Sequence, residues 1–173
     1  MLRLNLPTSG EYAILIDGVQ ARAGQWLPEA VHEIAFDFAQ GVQGWEPAHD
    51  LAPFAATGGA LVTTATGSDP YLTRGGLLVG GKPGDMLEIE LAIAGSGAAM
   101  PIQVFWGTDQ ASGFAPERSL QVESVADGAF HTVAFPVGEH AQWQGQTIVA
   151  LRLDPGAGGK PIQIRRIQRV AGK

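Results

Sequence analysis

MLEIELAI, residues 86–93, places Leu87, Ile89, Leu91 and Ile93 at every second position, with Glu88 and Glu90 between them. Side chains of a β-strand point alternately to its two faces, so a period of two gives one apolar and one charged face. A helix would need apolar residues three and four apart. The stretch therefore reads as a half-buried strand in a sheet that packs against another layer. The same alternation recurs outward from it. Leucines fall at 2, 4 and 6 in LRLNL, and EYAILIDGVQ runs as a strand into Asp17-Gly18, a hairpin dipeptide. Further strands are expected at 59–66, 70–74, 101–106, 118–125, 129–137, 147–153 and 161–170. TGSDP, GGKPGD, AGSGAA, ADGA and DPGAGGKP separate them with turn-forming residues. Pro28 to Phe36 is the best helix candidate, although the overlapping HEIAFDF fits a strand equally well.

Eight or more short strands with dense turn signals predict an all-β protein, an antiparallel β-sandwich or jelly roll. A boundary is expected near residue 33. Residues 1–33 read as a small strand-rich segment, a β-hairpin suited to attachment, and 34–173 as the sandwich. Composition agrees: the 173 residues include 24 Gly and 11 Pro, 45% are apolar and only 16% charged.

A net charge of −6 disfavours a nucleic-acid partner, since phosphate binding needs a concentrated positive field. Arg165, Arg166, Arg169 and Lys173 form one basic cluster, which on an alternating strand would split between faces and act as a solvated edge. Cysteine is absent, so disulfides and thiolate metal sites are excluded. Asn5, Pro7 and Ser9 interrupt the N-terminal apolar residues, leaving no signal-peptide core. No apolar run approaches the ~18 residues of a membrane helix. A soluble chain without membrane insertion is expected, cytoplasmic unless an assembly carries it to a cell surface or particle.

FDFAQGVQGWEP (36–47), GGALVTTATGSDPYL, DMLEIELAI, PIQVFWGT, DGAFHTVAFPV, TIVALRLDPG and IQIRRIQRV follow one another over residues 35–170. In that order and spacing they resemble the galactose-binding-like β-sandwich of carbohydrate-binding modules. The resemblance implies the sandwich fold and a ligand such as a glycan, though the same fold also serves other kinds of recognition. Relatives often hold a structural calcium between an N-terminal acidic residue and one in the last strand. Asp37 would supply the first carboxylate, but IQIRRIQRV offers arginines instead of the second. Calcium needs six to eight oxygen ligands, so no cofactor is expected.

No catalytic constellation emerges. His32, His49, His131 and His140 lack ligand spacing, and Ser96 lacks a nucleophile elbow. Glu88 and Glu90, ~7 Å apart along one strand face, read as solvated carboxylates rather than an acid–base pair. Binding features are better represented. A sugar offers C–H patches to aromatic rings and hydroxyls to planar polar groups. Strand phase places Ile102, Val104 and Trp106 inward and Gln103 and Phe105 outward. It likewise turns Val149, Leu151 and Leu153 inward, with Ile148, Ala150, Arg152 and Asp154 outward. If these strands are neighbours, Gln103, Phe105, Arg152 and Glu88 share a face. Tyr71, Trp45 and Trp143 stand beside turns as its rim, with a core plug the competing reading for Trp45.

The function expected is non-catalytic recognition of a glycan or cell-surface polysaccharide, such as a capsular one. The alternatives are a structural, receptor-binding spike or fibre component of a phage or phage-like particle, or an accessory domain of a polysaccharide glycosyltransferase. Starting at Met1 and carrying no linker or enzyme, the chain would attach to a virion, or to further copies of itself, through residues 1–33.

Overall fold

The computed structural model describes residues 30–156 and 159–171. The expected strands in LRLNL and EYAILIDGVQ, and residues 1–29 of the expected attachment segment, lie outside them. Among the described residues there are twelve strands: β1 (Ala35–Asp37), β2 (Glu46–His49), β3 (Ala55–Thr57), β4 (Ala60–Thr64), β5 (Tyr71–Arg74), β6 (Val79–Gly80), β7 (Met86–Ile93), β8 (Ala98–Thr108), β9 (Ser119–Ala126), β10 (His131–Phe135), β11 (Thr147–Asp154) and β12 (Pro161–Val170). The only helical elements among these residues are 3-10 turns. None is long and apolar enough to cross a membrane, which leaves strand-built spans unaddressed.

The strands form two antiparallel sheets. The first runs β10-β7-β12-β4-β3, with β1 also on β12; the second runs β2-β5-β11-β8-β9, with β6 also on β11. MLEIELAI is β7, between β10 and β12, and its leucines and isoleucines are buried as the alternation requires. The inner faces of both sheets close on one core, which includes Leu87, Ile89 and Leu91 from the first sheet and Ile102, Val104 and Leu151 from the second. This is the all-β sandwich expected from the alternation, with neighbouring sheets packed through their apolar faces.

The helix expected over Pro28–Phe36 does not form across its described part. Ala35–Asp37 is strand β1, and a single 3-10 turn follows at Phe38–Gln40, capped by the Asp37 carboxylate accepting from the Ala39 N–H. Pairing begins earlier than the expected boundary. Val31 bridges Leu77, donates its N–H to the Gly76 carbonyl and accepts from the Leu78 N–H, and Ile34 is fully buried. Residues 31–34 thus pack with the sandwich.

In two of the expected strands a register shift changes the phase that strict alternation would give. In β12 the register shifts between Ile164 and Arg166, so Ile164 and Ile167 are both buried although three residues apart. Arg165 and Arg166 are consequently both exposed instead of splitting between faces, and both reach Glu90, at 3.3 and 3.7 Å. In β11 the shift between Ile148 and Ala150 buries Ile148 and leaves Val149 half-buried, the reverse of the expected order. A bulge inserts one unpaired residue and so resets which side chains face inward.

Trp106 ends the inward run Ile102, Val104, Trp106 and is fully buried. Its Nε1 donates to the Gln142 carbonyl at 3.0 Å, and its ring meets Trp143 edge to face, centroids 5.5 Å apart. Trp106→Ala should cost about 3–5 kcal/mol, as expected for removal of a buried tryptophan. Denaturant unfolding checks it; an unchanged midpoint would show the cavity to be energetically silent.

Candidate functional site

The outward face of the second sheet gathers the planar side chains of four adjacent strands. Antiparallel register sets His49 of β2 opposite Tyr71 of β5, and Arg152 of β11 opposite Phe105 of β8. His49 and Tyr71 stack with centroids 5.5 Å apart and planes 11° from parallel. The Arg152 guanidinium carbon lies 3.6 Å from the Tyr71 ring centroid and 4.8 Å from that of Phe105. Since β5 and β8 flank β11, Arg152 stands between the two rings. Imidazole, phenol, guanidinium and phenyl form a ladder across the sheet, held by cation–π attraction.

Acidic groups fix the guanidinium in place. Its Nε and Nη2 donate to the two Asp154 carboxylate oxygens, each at 2.6 Å, and Nη2 also reaches Asp69 Oδ1 at 3.2 Å. Burial would lower the guanidinium pKa, but the Asp154 hydrogen bonds and the charges of the Asp154 and Asp69 carboxylates outweigh it and raise it. For Asp154 burial is the largest influence and raises its carboxyl above the usual range. Asp69 adds to that rise, and Arg152 opposes it.

Beside the ladder lies an open cleft of about 190 Å³. A cross-strand row of Asp154, Gln103 and Gln121 lines it, and Ser68, Asp69, Pro70, Pro101 and Gly156 complete it. Gln103 is oriented by donating to Ser119 Oγ at 3.0 Å. Gly156 has φ +92°, and a Cβ there would come within 2.5 Å of the Met100 side chain, so the wall needs glycine. Asp69 is placed by the turn before β5: its N–H donates to Asp50, and its carbonyl meets His49 Nδ1 at 2.9 Å.

Four of the expected site residues, Phe105, Gln103, Arg152 and Tyr71, come together here. Three do not. Trp45 is 2% exposed and packs edge to face on Phe36, as a core plug rather than a rim. Trp143 is fully buried because its Nε1 has a buried acceptor, Asp85, at 3.0 Å. Glu88 belongs to β7 of the other sheet, where its carboxylate accepts from Gln168 at 2.8 Å. Asp69, Gln121 and His49 were missed as site residues. The alternation of SLQVESVA already turned Gln121 outward, whereas the placing of Asp69 depends on the pairing of distant strands. Asp37 does not fit a calcium site: its carboxylate caps the 3-10 turn, and its cross-strand partner is Arg166. Among the described residues no group of three acidic or histidine side chains gathers to hold a metal.

The fold defined by these two sheets is an antiparallel β-sandwich, the fold that the sequence resemblance implied. Among solved structures the chain is similar to a family 29 carbohydrate-binding module from Piromyces equi, with 13% identity over 81% of this chain and 88% of that one, TM-score 0.51. It is similar also to the family 11 module from Clostridium thermocellum, solved with a β-1,3-1,4-mixed-linked tetrasaccharide, with 13% identity over 83% of this chain and 98% of that one, TM-score 0.51. An agarase matches with 9% identity over 80% of this chain but only 26% of its own length, TM-score 0.55. No protein-family model matches the sequence, and no curated protein does. At these identities the likeness is one of fold.

Arg152→Met should raise the Asp154 pKa further, because burial and Asp69 then act without the opposing cation. A raised folded-state pKa means stability present in acid and lost as pH rises through it. The variant's deficit against the parent should therefore grow from acid towards neutral pH, measured by carboxyl-carbon NMR titration and pH-dependent unfolding. A pH-independent deficit would count against the electrostatic account.

Proposed function

We propose that the protein is a non-catalytic carbohydrate-binding module whose ligand lies across the outward face of the second sheet. One observation carries the reading: the His49–Tyr71–Arg152–Phe105 ladder adjoins a cleft lined by Asp154, Gln103 and Gln121. Aromatic surface beside convergent planar polar groups is the combination that holds a sugar, with C–H groups against rings and hydroxyls to amides and carboxylates. The cleft is open and smaller than the ~300–1,000 Å³ of an enclosed small-molecule site. It suits one residue of a longer chain running over the sheet. The modules of matching fold support a glycan as the ligand class.

Affinity electrophoresis against a panel of soluble polysaccharides tests the reading. Gln103→Ala and Phe105→Ala should each weaken binding roughly tenfold, the effect of ~1–1.5 kcal/mol from one contact. Folding should be little changed, since both side chains are only partly buried. Absence of binding to every polysaccharide at millimolar sugar would sink it.

Of the expected attachment segment 1–33, residues 1–29, which precede Val31 and the buried Ile34, are proposed to serve attachment rather than binding, supported by the separate strand rhythm of the sequence ahead of the sandwich. Removal of 1–29, sparing Val31 and the buried Ile34, should leave glycan binding and the unfolding midpoint in place. Loss of the fold would show the segment to be part of the core.

A further inference from the structure

We infer that the cleft selects glycans without anionic groups, uncharged or amine-bearing, and rejects carboxylated and sulfated ones, with Asp69 setting the selection. This rests on the glycan-binding reading and sharpens its ligand class. Arginine on a sugar-binding face is ordinarily the feature that would invite a uronate or a sulfate. Here it is already engaged. Its Nε and Nη2 edge is taken by both Asp154 oxygens at 2.6 Å and by Asp69 at 3.2 Å, and the Tyr71 and Phe105 rings flank it on either side. A ligand carboxylate seeking the bidentate Nε–Nη2 edge would have to displace a half-buried partner already in place, which leaves it only single contacts at Nη1.

The charge balance points the same way. The described lining holds two carboxylates, Asp69 and Asp154, and no cationic side chain. With Arg152 counted, the site carries one excess negative charge. Asp154 is shielded, its side chain 19% exposed, whereas the Asp69 side chain is 59% exposed and presents its charge to whatever enters. The whole chain, at −6, adds a repulsive field for an approaching polyanion. Hydroxyls can donate to these carboxylates, and an ammonium group would add an ion pair. A carboxylate or sulfate can do neither and meets like charge at close range.

The test uses the full chain and three neutral polymers, β-glucan, galactomannan and agarose, each beside its own C6-carboxylated derivative, at low and at high salt. Retention of at least one neutral polymer is expected, with its carboxylated derivative bound roughly tenfold more weakly or worse. Raising the salt should narrow that gap through screening. Asp69→Asn, which keeps the side-chain shape, should narrow it at low salt without shifting the unfolding midpoint.

A carboxylated polymer held as tightly as its parent would overturn the charge selection while leaving glycan binding intact. A gap indifferent to both salt and Asp69→Asn would also overturn it, the rejection then being steric. Failure of all the polymers to bind would remove the glycan reading, and this inference with it.

Discussion

Asp85, at the start of the strand region of β7, is 1% exposed and carries a carboxylate into the protein interior. An ionised group there is tolerated only with several partners. It accepts from the Lys82 N–H at 2.8 Å and from Trp143 Nε1 at 3.0 Å, and Arg169 of β12 approaches within 3.5 Å. Those partners come from the turn before β7, from the loop before β11 and from the long closing strand. The Asp85 carbonyl also accepts from Gly138, where a side chain would strike the Gly84–Asp85 backbone. Trp143, held in this way, presents its ring to Trp106. The end of β8 is thereby fixed to the first sheet through one buried acid and two indoles.

The outward site follows from that inward constraint. A strand with Trp106 locked into the core must turn Phe105 and Gln103 the other way, because a slip of one residue would exchange the two faces. Leu151 and Leu153, both buried, impose the same phase on β11 and aim Arg152 and Asp154 at Phe105 and Gln103. The bulge between Ile148 and Ala150 absorbs the mismatch upstream, so it leaves the site-bearing end of β11 regular.

Legibility in the sequence tracked the range of the physical cause. Alternation is local, so MLEIELAI, PIQVFW and PYLT declared their inward and outward residues correctly, Trp106 against Phe105 included. Bulges depend on how a partner strand pairs, so the exposure of both Arg165 and Arg166 and the inward turn of Ile148 were invisible in the alternation. Glu88 shows the same limit at longer range. Its outward phase was right, yet which sheet β7 joins is decided by pairing with β10 and β12. Trp45 and Trp143 were ambiguous because a turn-flanking tryptophan is drawn inward only when the core has room for it. For Trp143 it also needs a buried acceptor for the indole N–H, and Asp85 lies 58 residues away in the chain.

Rigidity is what the ladder would contribute to the proposed recognition. An arginine free in solvent loses considerable side-chain entropy when a ligand immobilises it, which subtracts from affinity. Arg152 has already lost that freedom on folding, clamped by Asp154 along one edge and by rings on both sides. Its Nε–Nη2 edge is used up in the process. The residue therefore serves the surface as a filler between Tyr71 and Phe105, while on the proposed reading Gln103, Gln121 and Asp69 remain to meet hydroxyls. A cation built into the face in this manner lends shape to the site and leaves its charge to the carboxylates around it.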